Sequence, residues 1–469
     1  MNLLAIRLRD DTARPLLLGL LILALGLALA RCPLPWAAAL VAGGIGGLLL
    51  LLRPVWGLIP LLLSVPLARL GGLTVAGMRI SPAEVLLAGV VLAWLIQMAA
   101  QREIRFPHPP LLLPFLLLFG AMLASLPGAL SLRTALKELI KWGSMLAAYL
   151  FVAARVERRH LGWLMGVILA AGCGQALLGI TQFLTGRGPE WFLLLGRFMR
   201  AYGTFEQPNP YGGYLGLTLP LAIALAFELR TWPGRLAALA ALLLMAAALV
   251  MSWSRGAWLG FAAATLVLSV ARSRRAAILA GAAIGLLALA LLLNSAHLLP
   301  PMLTQRFAGL PAYFTVPDVT TAEVTEANYA LIERLAHWQA AIRMWADHPW
   351  LGVGIGNYTV VYPAYALPHW PEPLGHAHNT YLNIGAETGL VGLVVYVIFW
   401  IAALWQALRA IRSASDLSRA VALGALGALV HLSVHSLFDN LYVHTMYLQI
   451  AVLLGLLAVI QESTVASER

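Results

Sequence analysis

What most constrains this chain is a near-continuous succession of apolar runs, each about 20 residues long, separated by short charged or Pro/Gly-rich joints. A backbone inside a bilayer has no water to bond, so each run reads as a helix that satisfies its own N–H and C=O groups. Of the 469 residues, 61% are apolar and 11% charged, with a mean hydropathy of +0.83. Soluble domains run at about 45–50% apolar and about 25% charged. A water-soluble enzyme, a disordered chain and a fibrous protein are excluded. The expected class is an all-α polytopic membrane protein.

Reading the runs between their breaks places spans near 15–31, 34–52, 54–70, 82–100, 110–127, 133–154, 160–184, 209–229, 233–252, 255–272, 275–296, 387–409, 417–438 and 440–461. That is about 14 transmembrane helices. Only Arg53 and Pro54 divide the second from the third. The run from Pro15 to Ala30 has the length of a signal-peptide core, but the many spans behind it favour an uncleaved first helix. Four regions follow: N-terminal helices over 1–196, helices with arginine-bearing outer turns over 197–296, an extracytoplasmic loop domain over 297–386, and C-terminal helices over 387–469.

The 31 basic and 20 acidic residues give a net +11, yet Lys137 and Lys141 are the only lysines. In a membrane protein arginines report topology before they report nucleic acid, and no nucleic-acid partner is expected. With the N-terminus in the cytoplasm, Arg53, Arg102, Arg155, Arg158, Arg230, Arg272, Arg274, Arg412 and Arg419 all fall on inner loops, and both termini come out cytoplasmic. The remaining cations collect on the other side. Arg187, Arg197 and Arg200 precede the eighth span, Arg255 opens the tenth, Arg306, Arg334 and Arg343 sit in the long loop, and Lys137 and Lys141 lie one turn apart near the outer end of the sixth. Topology gives no reason for cations there; an anionic substrate handled outside the cytoplasm does. Cys32 and Cys173 alone offer neither a disulfide framework nor a cysteine metal site.

The long loop carries a helix, because Leu331, Leu335, Trp338, Ile342 and Trp345 recur on one helical face. His348-Pro349 ends it, and a Gly- and Pro-rich stretch leads on to Gly375-His376-Ala377-His378-Asn379.

Four polar clusters stand out. Arg200 to Gly213 is either an interfacial turn or a loop bringing Arg200 and backbone N–H groups to a phosphate at a helix start. In Ser252-Trp253-Ser254-Arg255-Gly256, Arg255 either snorkels or offers its planar fork to phosphate oxygens. Glu333-Arg334, with His337 one turn on, is either an exposed helix face or part of a site. In His376-Ala377-His378-Asn379, histidines beside an apolar span carry a desolvation cost that implies a task, and a neutral imidazole suits proton removal from a sugar hydroxyl. A zinc site joining His376 and His378 to His431, His435, Asp439 or His444 is the competing reading. With no HExxH, paired carboxylate or cysteine ligand, no metal and no cofactor are expected. Asp439 lies at an outer turn between the last two spans.

Taken in order, Ser254-Arg255-Gly256-Ala257, Arg334 ahead of His348-Pro-Trp-Leu-Gly-Val-Gly354, His378-Asn-x-Tyr-Leu382 and Glu387-x-Gly389 resemble the O-antigen ligase/polymerase superfamily. Arg200-x-x-Gly-Thr-Phe and Pro208-Asn are similar to the segment its members carry just upstream, so the resemblance covers roughly 197–440. It implies a GT-C-like helical architecture in the bacterial inner membrane and transfer of a glycan from undecaprenyl pyrophosphate to a lipid, glycan or protein acceptor on the extracytoplasmic face. It further implies that His378 is the catalytic histidine, that Arg255 and Arg334 bind pyrophosphate, and that Asp439 is a functional aspartate. Arg200, His376, Asn379 and Lys141 complete the expected substrate-binding set.

The reaction's own demands agree. Pyrophosphate leaves as a stable anion, so the site needs fixed positive charge at the phosphates and a base for the acceptor hydroxyl. Direct attack opposite the leaving group inverts the anomeric centre. Ligase, repeat-unit polymerase and protein oligosaccharyltransferase share that donor, and a lipid or glycan transporter is the rival from another class.

Overall fold

A computed structural model describes Gly26 and residues 31–467, apart from 76–77, 103–105, 195–196, 293–318, 321, 323 and 326–327. The first expected span, near 15–31, lies almost wholly outside the described residues. Fifteen α-helices follow within them. They are α1 (Leu34–Leu52), α2 (Leu58–Ser64), α3 (Pro82–Ala100), α4 (Leu112–Ala124), α5 (Leu132–Arg155), α6 (Leu161–Thr185), α7 (Pro208–Glu228), α8 (Trp232–Met251), α9 (Arg255–Arg272), α10 (Arg274–Leu292), α11 (Tyr329–Asp347), α12 (Tyr358–Val361), α13 (Thr380–Ser413), α14 (Asp416–His435) and α15 (Met446–Ser467). Two small antiparallel hairpins, Leu73–Val75 with Met78–Ile80 and Leu193–Leu194 with Phe198–Met199, are the only strands among the described residues.

Helices stand at every expected span that is described. Among the described residues, seven are long and apolar enough to cross a bilayer, and Pro54–Leu67, Leu112–Gly128 and Met446–Gln461 are shorter apolar helices. Pro54 does end the second span: Arg53 leaves α1 in an extended conformation, and a 3-10 turn opens the short helix that follows. The sixth span forms as α5, carrying Lys137, Glu138 and Lys141 near its start. The membrane reading has a direct counterpart in surface chemistry. Leu34, Trp36, Leu40, Ile45 and Leu48 of α1 are more than half exposed, an apolar face that water would not tolerate.

The core is α7, buried along nearly its whole length and packed between α8, α9 and α14. Small residues permit that approach. A methyl group on Gly216 of α7 would overlap the His431 ring of α14, and one on Gly260 of α9 would lie 2.8 Å from the same ring. His431 and His435, one turn apart on α14, are thus wedged between glycines of two neighbours. At the far end of this bundle Glu228 pairs with Arg272 at 2.9 Å and Arg419 at 3.3 Å, tying the last turn of α7 to the last of α9 and the first of α14.

The loop helix differs from its sequence pattern. Its buried face is Leu331, Ile332, Leu335, Ala336, His337, Ala340, Ala341 and Met344, while Ile342 is half exposed. Alanines let the helix sit close against α13, which turns the stripe away from the larger residues. Glycines then carry the chain back into the bundle. Gly352, Gly354 and Gly356 all adopt positive φ. Val353 N–H donates to Ala386 C=O at 2.9 Å, Leu390 N–H to Pro349 C=O at 2.8 Å, and Ser131 N–H to Asn357 Oδ1 at 2.7 Å. This turn seats between the start of α5 and α13, whose helix breaks at Gly389 (φ 65°) to receive it. The helix at the expected span 387–409 therefore starts earlier, at Thr380, and runs to Ser413.

Candidate active site

Three helix N-termini and one C-terminus meet at the end of the bundle opposite Glu228. A Cβ on Gly212 of α7 would lie 2.9 Å from Ala257 of α9, and one on Gly256 of α9 would lie 3.0 Å from His435, the last residue of α14. Thr380, the first residue of α13, donates its N–H to Ser436 C=O at 2.8 Å and its hydroxyl to Asp439 C=O at 3.1 Å. The positive ends of the α7, α9 and α13 dipoles thus lie at the same end of the bundle, which favours an anion there.

The turn into α9 is built tightly. Ser252 Oγ donates to Leu249 C=O at 2.6 Å and accepts from Ser254 N–H at 3.2 Å, while Trp253 takes a left-handed backbone (φ 53°). Arg255 starts the helix at that turn, half-buried. Arg200 stands behind it: its guanidinium donates to Ser252 C=O at 2.9 Å and to Asn209 Oδ1 at 3.1 Å, and Ala201 N–H donates to Met251 C=O at 2.9 Å. Arg200 therefore braces the Arg255 turn against the start of α7.

Across from this turn lie the histidines. His378 holds a left-handed backbone (φ 53°), a conformation that costs a non-glycine residue about 1–3 kcal/mol and persists only where surroundings enforce it. Its N–H donates to His376 Nδ1 at 3.0 Å. His376 Nε2 and His378 Nδ1 each stand 3.6 Å from the same oxygen, Oδ1 of the buried Asp439. Burial alone would raise the Asp439 carboxyl, but the His378 contact and the charges of His376, His378 and Arg334 hold it well below the usual carboxylate range. Burial pushes His376 down to about 3, helped by His378 and opposed by Asp439. Asn379 caps α13, its Oδ1 accepting from Tyr381 and Leu382 N–H at 3.0 and 3.1 Å, so its side chain is committed to orienting the chain that follows His378.

Helix α11 roofs the site. His337 is buried, hydrogen-bonded through Nδ1 to Tyr358 Oη at 2.9 Å, stacked on Tyr362 at 4.7 Å and edge-on to His378 at 5.6 Å between ring centres. Burial, then the neighbouring His378, pushes it down to about 4. Trp338 Nε1 donates to His378 C=O at 3.4 Å. Arg334, one turn back on the same helix, lies within electrostatic reach of Asp439. Burial raises the Glu333 carboxyl, opposed by His378, Arg334 and a hydrogen bond from Tyr329. From the other wall Lys141 of α5, paired with Glu138, reaches His376 electrostatically.

The structure thus gathers His376, His378, Asp439, Arg334 and Lys141, while Arg255 opens α9, whose Gly256 packs against His435 at the end of α14. Arg200 and Asn379 stand one layer behind. Of the zinc partners considered, only Asp439 joins His376 and His378 among the described residues, with ligand atoms within 4.8 Å of one another. His431 and His435 sit inside the bundle, 3.4 Å apart, and His444 accepts from Arg69 Nε at 3.3 Å. Sequence patterns missed Tyr358 and Tyr362, whose spacing of one helical turn in an aromatic-rich loop was the available signal.

A helical membrane protein with a cationic, histidine-bearing site at one end of its bundle is the class these features define. Residues 240–397 match the family model described as O-Antigen ligase, a segment running from α8 into α13 and including Arg255, Arg334 and His378. That segment belongs to the O-antigen ligase superfamily, as the sequence motifs led one to expect. Asp439, Lys141 and Arg200 lie outside the matched segment. No curated protein matches the chain.

Proposed function

We propose that the protein transfers a glycan from undecaprenyl pyrophosphate to an acceptor hydroxyl on the extracytoplasmic face of the bacterial inner membrane. The observation that carries this reading is the placement of His378 against Asp439, with Arg334 of α11 within electrostatic reach of that carboxylate. His378 Nε2 takes the acceptor's proton as its oxygen forms the new bond to the anomeric carbon. The bond from that carbon to the phosphate oxygen breaks, and its electron pair leaves with the pyrophosphate. Arg255 and Arg334 meet the charge that develops there, and Asp439 orients the imidazole and stabilises its charged form. No step requires a metal ion, and direct displacement inverts the anomeric centre; a retained configuration in the product would refute it.

The sidedness follows the charge pattern. Arg155, Arg158, Arg272 and Arg419 lie at the end away from the histidines, which supports placing that end and both termini in the cytoplasm. Helix α11, over Tyr329–Asp347, then covers the site from outside. Incubating the purified protein in detergent with a defined lipid-linked repeat unit tests the reading. A ligase caps its acceptor once, a polymerase extends it in steps, and a protein oligosaccharyltransferase modifies polypeptide. Consumption of none of these donors refutes the transferase, and movement of an intact lipid or glycan across vesicles would favour a transporter.

A further inference from the structure

We propose that His376 is a positioning residue, locked by the backbone into the tautomer that donates to Asp439 and thereby fixing which nitrogen of His378 faces the acceptor. This deepens the transferase reading and rests on it.

A neutral imidazole has one donor nitrogen and one acceptor. His376 Nδ1 accepts the His378 backbone N–H at 3.0 Å, so the proton of the neutral ring is on Nε2. That atom points at Asp439 Oδ1 from 3.6 Å, and His378 Nδ1 meets the same oxygen from the same distance. Contacts of this kind tighten into hydrogen bonds in the reacting complex. Asp439 Oδ1 also accepts Asn440 N–H at 2.9 Å, so three donor groups converge on this one oxygen. An ionised carboxylate oxygen can only accept, so it keeps the proton of His378 on Nδ1 and its lone pair on Nε2. The left-handed backbone of His378 has a function in this account: it turns the amide N–H back onto the His376 ring.

The same lock decides against a cation. The atoms of His376, His378 and Asp439 lie close enough to imitate a three-ligand zinc site. A metal at His376 Nε2 needs the lone pair there, which moves the proton to Nδ1 and breaks the bond from the His378 amide. The positive charges of Arg334 and Lys141 oppose it further.

Two substitutions in the full-length protein separate the roles. His376→Asn keeps a carbonyl near the Nδ1 position and offers no donor to Asp439; His376→Gln carries an N–H out to the Nε2 position. His376→Asn lowers kcat by about 10–100-fold with the donor KM unchanged, and His376→Gln recovers most of that loss. Equal activity of the two variants, or an effect confined to KM, overturns the proposal. A readout independent of transfer is the ¹⁵N spectrum of labelled histidine near pH 7, in which the signals lost in His376→Gln identify residue 376. An unprotonated Nδ1 and a protonated Nε2 are expected; the reverse pattern, or a shift of both on adding Zn²⁺, overturns the lock. If the pattern is as expected and no lipid-linked donor is consumed, the transferase reading fails and the tautomer stands.

Discussion

Replacing His378 by alanine separates chemistry from folding at this site. Among the described residues neither ring nitrogen has a partner within hydrogen-bonding distance, and the Asp439 contact is 3.6 Å long. The segment is held instead by backbone bonds, His378 N–H to His376 and Thr380 N–H to Ser436, which alanine retains. The folding cost is accordingly small, within about 1 kcal/mol. The donor's phosphates are assigned to Arg255 on α9 and Arg334 on α11, elements separate from the segment that carries His378. Loss of a positioned general base removes about 10²–10⁴ in rate, or about 2.7–5.4 kcal/mol of transition-state stabilisation. Turnover of a defined lipid-linked repeat unit, donor affinity and thermal unfolding of the variant, measured separately, should show the first falling by that factor and the other two unmoved. Near-normal turnover, or lost donor binding with unaltered chemistry, would refute His378 as the base.

Arg255→Lys keeps the charge and loses the two-pronged geometry, so kcat should fall about 10²–10³-fold in the same assay; near-normal turnover would reduce Arg255 to an anchor. Gly216→Ala drives a methyl into the His431 ring and should destabilise the bundle by about 1–3 kcal/mol, whereas Gly166→Ala, with nothing within 4 Å, should be neutral in the same unfolding series. His337, pushed down to about 4 when folded, takes up protons more readily once unfolded. Its contribution is therefore complete above the unfolded value and is lost as pH falls from about 6.5 towards 4, by about 2 kcal/mol at pH 5. Hydrogen exchange along α11 should rise over that window in the parent and much less in His337→Phe. Chelators should leave transfer intact, and rescue of a chelator-inhibited preparation by a divalent ion would reinstate the zinc reading.

The spans were legible because a bilayer allows one solution for an apolar run, and so helix positions follow directly from composition. Their status as crossings was less so, since Pro54–Leu67 and Leu112–Gly128 are apolar yet short. At the site, residue type and order singled out Arg255, Arg334 and His378. What lay beyond reach was which residues touch. Asn379 reads as a ligand in sequence and caps α13 in space, and Arg200 reads as a phosphate arginine and braces a turn. The shift of the buried face on α11 has a similar origin: periodicity ranks residues by hydrophobicity, while close packing against α13 selected alanines.

The seating of α15 against α5 bears on how the protein is made. Gly455 allows that contact, since a methyl group there would lie 2.6 Å from Val152, and Asp439 sits on the turn that leads into α15. A ribosome delivers Lys141, Arg255, Arg334 and His378 to the translocon in that order, with Asp439 after them all. The helix that closes on α5 is thus the last to be made, and it packs against one inserted much earlier. The cluster of His376, His378 and Asp439 is therefore assembled only after all but the last helix has been synthesised.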